Sequence, residues 1–134
     1  MIARCWVSIL LAVALAACGR DGSATTLDAP IQLAPGESAV FKAEKLEVTF
    51  VAVVSDSRCP SDVTCVWAGE LVVRLAIRSD GRQTEHELKE MEKAAVDGYV
   101  VDLLEVLPAR GPQEQRVAPA DYRVTFKVTR GYSQ

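Results

Sequence analysis

A chain of 134 residues, 49% hydrophobic and 25% charged, has the length of one domain and enough apolar side chains for a modest single core. Its formal net charge of −3 gives no electrostatic footprint for nucleic acid or for an anionic membrane face. One histidine and four cysteines leave metal and thiol chemistry few residues to draw on.

The first element is a leader. Met1-Ile2-Ala3-Arg4 is a short positive start, and Cys5 to Ala17 is a run of small and apolar residues too short for a comfortable membrane span. The run ends in Leu15-Ala16-Ala17-Cys18, which resembles the lipobox of bacterial lipoproteins: an aliphatic residue, two small ones, then a cysteine. The resemblance implies cleavage before Cys18, a diacylglycerol on its sulfur and a further acyl chain on the new amino terminus. The competing reading is a soluble-secretion signal with small residues before its cleavage site. Each buried methylene contributes about 0.8 kcal/mol, so several acyl chains hold a domain to a bilayer where one does not.

Removal of residues 1–17 takes away Arg4 and leaves 14 basic against 18 acidic side chains, a net charge of −4. Cys5 is discarded and Cys18 carries lipid, so Cys59 and Cys65 remain as a pair. An exported compartment is oxidising, and the two are expected to be joined. Gly19 to Ala29 is small, polar and aperiodic, the composition of a tether. In the enteric sorting scheme an Asp after the lipidated cysteine favours the inner membrane; Gly19 stands there instead, which points to the outer membrane, facing the periplasm.

Folded structure is expected from Ile31. Ile31 and Leu33 alternate, Pro35-Gly36 signals a turn, and Ala39 with Phe41 continue on one face. Between Lys45 and Ser55 the positions Leu46, Val48, Phe50, Ala52 and Val54 alternate with polar ones, while Val51 and Val53 suggest that the far end is covered on both faces. This strand delivers the chain to Ser55–Glu70, SDSRCPSDVTCVWAGE. Pro60 fixes the backbone after Cys59, and a Cys59–Cys65 bridge closes a small ring. Trp67 is expected to pack its indole on the bridge or to cap the core, with Gly69 allowing a close approach or a bulge.

The pattern Asp56-Ser57-Arg58-Cys59-Pro60, four residues, then Cys65-x-Trp67-Ala68-Gly69 resembles the signature of a group of small bacterial lipoproteins and secreted proteins with no assigned activity. In that group a similar element is followed by strands with a Tyr-x-Val-x-Leu pattern and a Val-x-Pro-like ending, comparable to Tyr99–Leu103 and Val106-Leu107-Pro108. The resemblance spans most of Ile31 to Val128 and implies location and fold, not activity.

Downstream, Leu71, Val73, Leu75 and Ile77 form one apolar face. Asp80-Gly81 is a two-residue hairpin signal, because both central residues of a type I′ turn need positive φ. That register sets Ile77 opposite Thr84, Leu75 opposite His86, Val73 opposite Leu88, Arg74 opposite Glu87 and Ala76 opposite Glu85. Lys89–Val96 is read as at most a helical turn. Tyr99–Leu107 is a strand whose apolar phase shifts at Leu104, which a bulge explains. Pro108–Pro119 reads as an exposed loop. Asp121–Arg130 closes the domain, with Tyr122, Val124, Phe126 and Val128 inward.

About seven strands with turn signals between them give an all-β chain, a single antiparallel β-sandwich with one short-range disulfide, rather than a closed barrel. The division is a signal peptide over 1–17, a lipidated N-terminus and tether over 18–30, the sandwich over 31–130 and a tail over 131–134.

The catalytic candidates are few. C-x5-C is not the C-x-x-C of thiol oxidoreductases, and a metal would need more than His86, which sits mid-strand. Glu85, Glu87, Glu90 and Glu92 alternate with Lys89 and Lys93 as on a solvated face. No G-x-S-x-G elbow or Gly-rich phosphate loop occurs. No catalytic residue, metal site or cofactor is assigned. The candidate binding residues are Arg58, whose guanidinium beside an ordered turn can engage a carboxylate unless Asp56 or Asp62 takes it, and Trp67. The expectation is a non-catalytic binding or structural domain in the cell envelope, held to the bilayer through Cys18, with an envelope protein as partner and no nucleic acid. The alternatives are an inhibitor of a protease or lysozyme presenting the Arg58–Trp67 loop, and an envelope enzyme of another type. An exposed Trp67 favours the binding readings; clustered acidic residues in a cleft favour the enzyme.

Overall fold

The structure, a computed structural model, describes residues 25–131. The signal peptide, Cys18, the first part of the tether and nearly all of the tail lie outside the described residues. Eight strands are formed: β1 (Ile31–Leu33), β2 (Ser38–Phe41), β3 (Leu46–Asp56), β4 (Leu71–Ser79), β5 (Arg82–Lys89), β6 (Lys93–Val96), β7 (Tyr99–Leu107) and β8 (Arg123–Arg130). They make two antiparallel four-stranded sheets, ordered β1-β8-β7-β6 and β2-β3-β4-β5. The chain is an antiparallel β-sandwich, as its alternating patterns require: each strand has one apolar face, and facing the two sheets together buries both.

The core lies between the sheets. Phe41, Phe50, Leu75 and Ile77 come from one sheet and Leu103 and Phe126 from the other, all with no exposed surface. The chain changes sheet on both sides, through the turn between β1 and β2 and the turn between β5 and β6. Leu27 packs against the core and the Asp28 N–H donates to the Val128 carbonyl at 2.8 Å, so packed structure starts a few residues before Ile31.

The hairpin of β4 and β5 has the expected register at every pair, and Asp80 and Gly81 both have positive φ, 45° and 81°. Arg74 meets Glu87 at 2.8 Å on its outer face. The shift in β7 is also present, as a register irregularity between Leu103 and Glu105.

Two expectations are corrected. Lys89–Val96 is not a helical turn: Met91 takes a φ of 67°, the chain reverses, and Lys93–Val96 becomes β6, a strand beyond those expected, pairing with β7. Its Lys93 answers the buried Asp102 at 3.3 Å. The far end of β3 is not covered on both faces. Register shifts between Phe50 and Ala52 and between Val53 and Ser55 break the alternation, so Val53 turns toward the core while Val51 and Val54 stay exposed. A bulge places two residues opposite one and so moves the following side chains to the other face.

Phe126 sits at the centre of β8 with no exposed surface. Phe126→Ala is expected to lower unfolding stability by about 3–5 kcal/mol in urea titrations; a loss below about 1 kcal/mol would contradict the two-sheet core.

Candidate functional site

The two ends of the sandwich differ. At one end lie the Asp80-Gly81 and Asp97-Gly98 turns, Lys42–Lys45 and the entering segment at Asp28; Asp80 N–H donates to the Lys45 carbonyl and Gly131 N–H to the Gly98 carbonyl. At the other lie the long connection from β3 to β4 and the loop that follows β7.

That connection is an outgrowth of the β3–β4 ladder. Ser57 N–H donates to the Glu70 carbonyl and Cys59 N–H to the Ala68 carbonyl, both at 2.8 Å. The Ser57 hydroxyl donates to the same Glu70 carbonyl at 3.0 Å and accepts from Glu70 N–H at 3.1 Å. Gly69 has a φ of 69°, and a Cβ there would run into the Ser57 carbonyl, so both the conformation and the close approach demand glycine. Beyond the last rung Cys59 and Cys65 are joined, with their Cα atoms 5.9 Å apart. In the chain-entropy model so short a ring contributes about 2–3 kcal/mol. Its larger effect is to hold the tip of the loop in one shape.

At the root of this outgrowth is a part-buried charge cluster. Arg58 Nε donates to Asp56 Oδ1 at 2.9 Å and an Arg58 terminal nitrogen to Asp56 Oδ2 at 2.8 Å. The same nitrogen donates to the Pro108 carbonyl at 3.1 Å, and the Tyr122 hydroxyl donates to Asp56 Oδ2 at 2.9 Å. The two ionic side chains keep only 15% and 11% of their surface exposed. Burial alone raises the Asp56 carboxyl pKa, but the bonds from Arg58 and Tyr122 overcome it, and the net direction is below the ordinary 3.8. Burial, together with the bond to Asp56, raises the Tyr122 hydroxyl. Arg58 is raised further, first by its bond to Asp56.

The loop after β7 braces the other flank. Ser61 N–H donates to the Gly111 carbonyl at 3.1 Å, and Gln113 N–H donates to Asp62 Oδ1 at 2.8 Å.

Two sequence expectations change here. Arg58 is not a free contact residue, because Asp56 and the Pro108 carbonyl engage its guanidinium; it positions the loop. Trp67 does not cap the core: the residue is 80% exposed, and in the same loop Val66 is fully exposed and Val63 42% exposed. Tyr122 already closes this end of the core, and Trp67 lies beyond the rung between Cys59 and Ala68, out of the core's reach. A surface cleft of about 360 Å³ is lined by Trp67, Ala68, Gly69 and Glu70.

No family model, curated protein or solved structure matches this chain.

The remaining candidates do not converge. Thr84 Oγ1 and His86 Nε2 lie 2.9 Å apart. Glu85 and Glu87 face Arg74, Glu90 accepts from Val106 N–H, and Glu92 accepts from Lys89 N–H. Among the described residues no group of three or more His, Cys, Asp or Glu side chains is arranged to hold a metal ion. An apolar groove of about 540 Å³ lies between residues 25–33 and β2, but Lys42 is the only charged side chain on its wall. A specific small-molecule site normally has several converging polar groups. Sequence reasoning placed Tyr122 in the core but missed its bond to Asp56. The signal was a strand-end tyrosine whose hydroxyl needs a partner once buried.

The pH dependence follows from Asp56. A carboxyl whose folded pKa lies below its unfolded value stabilises fully above about pH 4, and the contribution fades as pH falls through the folded value. Asp56→Asn is expected to cost about 3 kcal/mol at pH 7, and the gap to the parent should narrow as pH falls below about 3.9 in urea unfolding. A gap independent of pH would contradict the cluster's role.

Proposed function

We propose that the chain is a lipid-anchored lipoprotein of the bacterial cell envelope, held by an acylated Cys18 in the outer membrane facing the periplasm. Its sandwich is non-catalytic and binds an envelope protein through the stapled loop between Arg58 and Glu70. One observation carries the binding reading: Trp67 is 80% exposed on a loop held by a disulfide, two ladder rungs and a charge cluster.

A large indole left in water forgoes about 1.5–3 kcal/mol of burial. A loop this tightly braced loses little conformational entropy on docking, so burying the indole becomes net affinity. Tryptophan is enriched among interface hot spots, and Val63 and Val66 extend the apolar contact. The anchor rests on the lipobox-like Leu15-Ala16-Ala17-Cys18 and on the polar stretch that follows it.

Two variants test this reading. Cys18→Ser should move the chain from the membrane to the soluble fraction while its melting temperature stays put. Trp67→Ala should leave unfolding stability within about 0.5 kcal/mol and weaken partner cross-linking in intact cells at least tenfold, about 1.4 kcal/mol. A Cys18→Ser chain that stays on the membrane contradicts the anchor. Cross-linking unchanged in Trp67→Ala contradicts the loop.

A further inference from the structure

The strand register fixes where the loop stands relative to the point at which the chain enters. β1 runs antiparallel to β8 with Ile31 opposite Phe126 and Leu33 opposite Val124, so residues before Ile31 lie toward Val128 and Gly131. Thr25 and Thr26 share a groove with Val40, Lys42 and Glu44, beside the Lys42–Lys45 turn. In the other sheet β3 starts at that same end, with Leu46 opposite Ser79, and leaves at the opposite end, with Asp56 opposite Leu71. The Asp56–Tyr122 bond and the Arg58–Pro108 bond tie that departure to the far end of β7 and β8. At about 3.3 Å per residue, the root of the loop is roughly 30 Å from the entering segment, and the tip is farther.

The exposed apolar side chains follow the same polarity. Of the seven large hydrophobic residues exposed among those described, Val54, Val63, Val66 and Trp67 lie in the half toward the loop, Val51 and Met91 lie near the middle, and only Val40 lies near the entry. The outside of β4 and β5 is polar, lined by Arg74, Arg78, Glu85 and Glu87. The span from Cys18 to Thr25 reaches at most about 25 Å, whatever its conformation.

Taken with the anchor at Cys18, on which this inference rests, the geometry points to a domain standing end-on to its membrane, with the Val63–Val66–Trp67 tip turned away from the anchoring bilayer to dock on a protein. The occupant is a protein offering an apolar pocket. A bilayer would be met by the entry end or by the polar outside of β4 and β5, and the chain's net negative charge gives no overall attraction to an anionic one. The carboxylates Asp62 and Glu70 within the loop also suit a protein partner better than a polyanion.

Trp67 reports on this directly, because Trp6 is the only other tryptophan and is lost with residues 1–17. The chain purified from its own membranes is reconstituted into phosphatidylcholine vesicles with brominated acyl chains. The chain should float with the vesicles, and Trp67 emission should match that in unbrominated vesicles while staying open to quenching by aqueous acrylamide. Floating chain whose emission is quenched by the bromolipid overturns the inference alone, since the loop is then in the bilayer. A chain that does not float overturns the anchor and this inference with it.

A photoreactive phenylalanine analogue replacing Trp67, compared with one replacing Asp80 at the entry end, identifies what the tip meets in cells. A discrete protein adduct from position 67 and none from position 80 is expected. A lipid adduct from 67, equal adducts from both positions, or none from either overturns the inference.

Discussion

One carboxylate ties this domain together at its loop end. Asp56 is the last residue of β3, and it accepts from Arg58 at the root of the outgrowth and from Tyr122 leading into β8 in the opposite sheet. Arg58 passes the connection on to the Pro108 carbonyl beyond β7. Three segments therefore meet on one charge pair. A charge so far removed from water is tolerated only when its bonds are satisfied, and no buried side-chain nitrogen or oxygen among the described residues lacks a partner. The cluster holds the extended ladder at a fixed angle to the sandwich, and the disulfide then fixes the tip.

This division of labour explains why a small domain can display an indole in water. The core between the sheets holds the sandwich together without the loop's apolar side chains, through residues such as Phe50 and Phe126 that have no exposed surface. The loop adds little burial of its own. Rigidity there comes from covalent closure, ladder bonds and Gly69, whose missing Cβ lets the two arms of the ladder come together.

Much of the fold was legible because it depends on local chemistry. Asp80-Gly81 set the β4–β5 register residue by residue, and the phase change at Leu104 marked a bulge. Lys93–Val96 was hidden because Lys-Ala-Ala-Val has weak strand preference; β7 imposes the conformation through pairing, and Asp102 gives Lys93 a partner. The bulges at Val51 and Val54 were hidden for a related reason, since an unbroken run of apolar residues reads equally as coverage on both faces. In the site, the disulfide and the role of Gly69 could be read from their types and spacing. The Asp56–Tyr122 bond could not, because 66 residues separate its partners and only the folded sandwich brings them together. Trp67 misled as a core cap for a simple reason: a large aromatic near a strand end usually closes the core, but here the ladder carries it past the end of the core.

The central claim is that the loop is a rigid presenter of Trp67. Backbone amide and indole ¹⁵N relaxation across residues 57–70 of the oxidised protein tests it most directly. The account predicts order parameters near the rigid-backbone value of about 0.85, for the loop amides and for the Trp67 amide alike. Values below about 0.6 through Val63–Trp67, with a rigid sandwich, would contradict it.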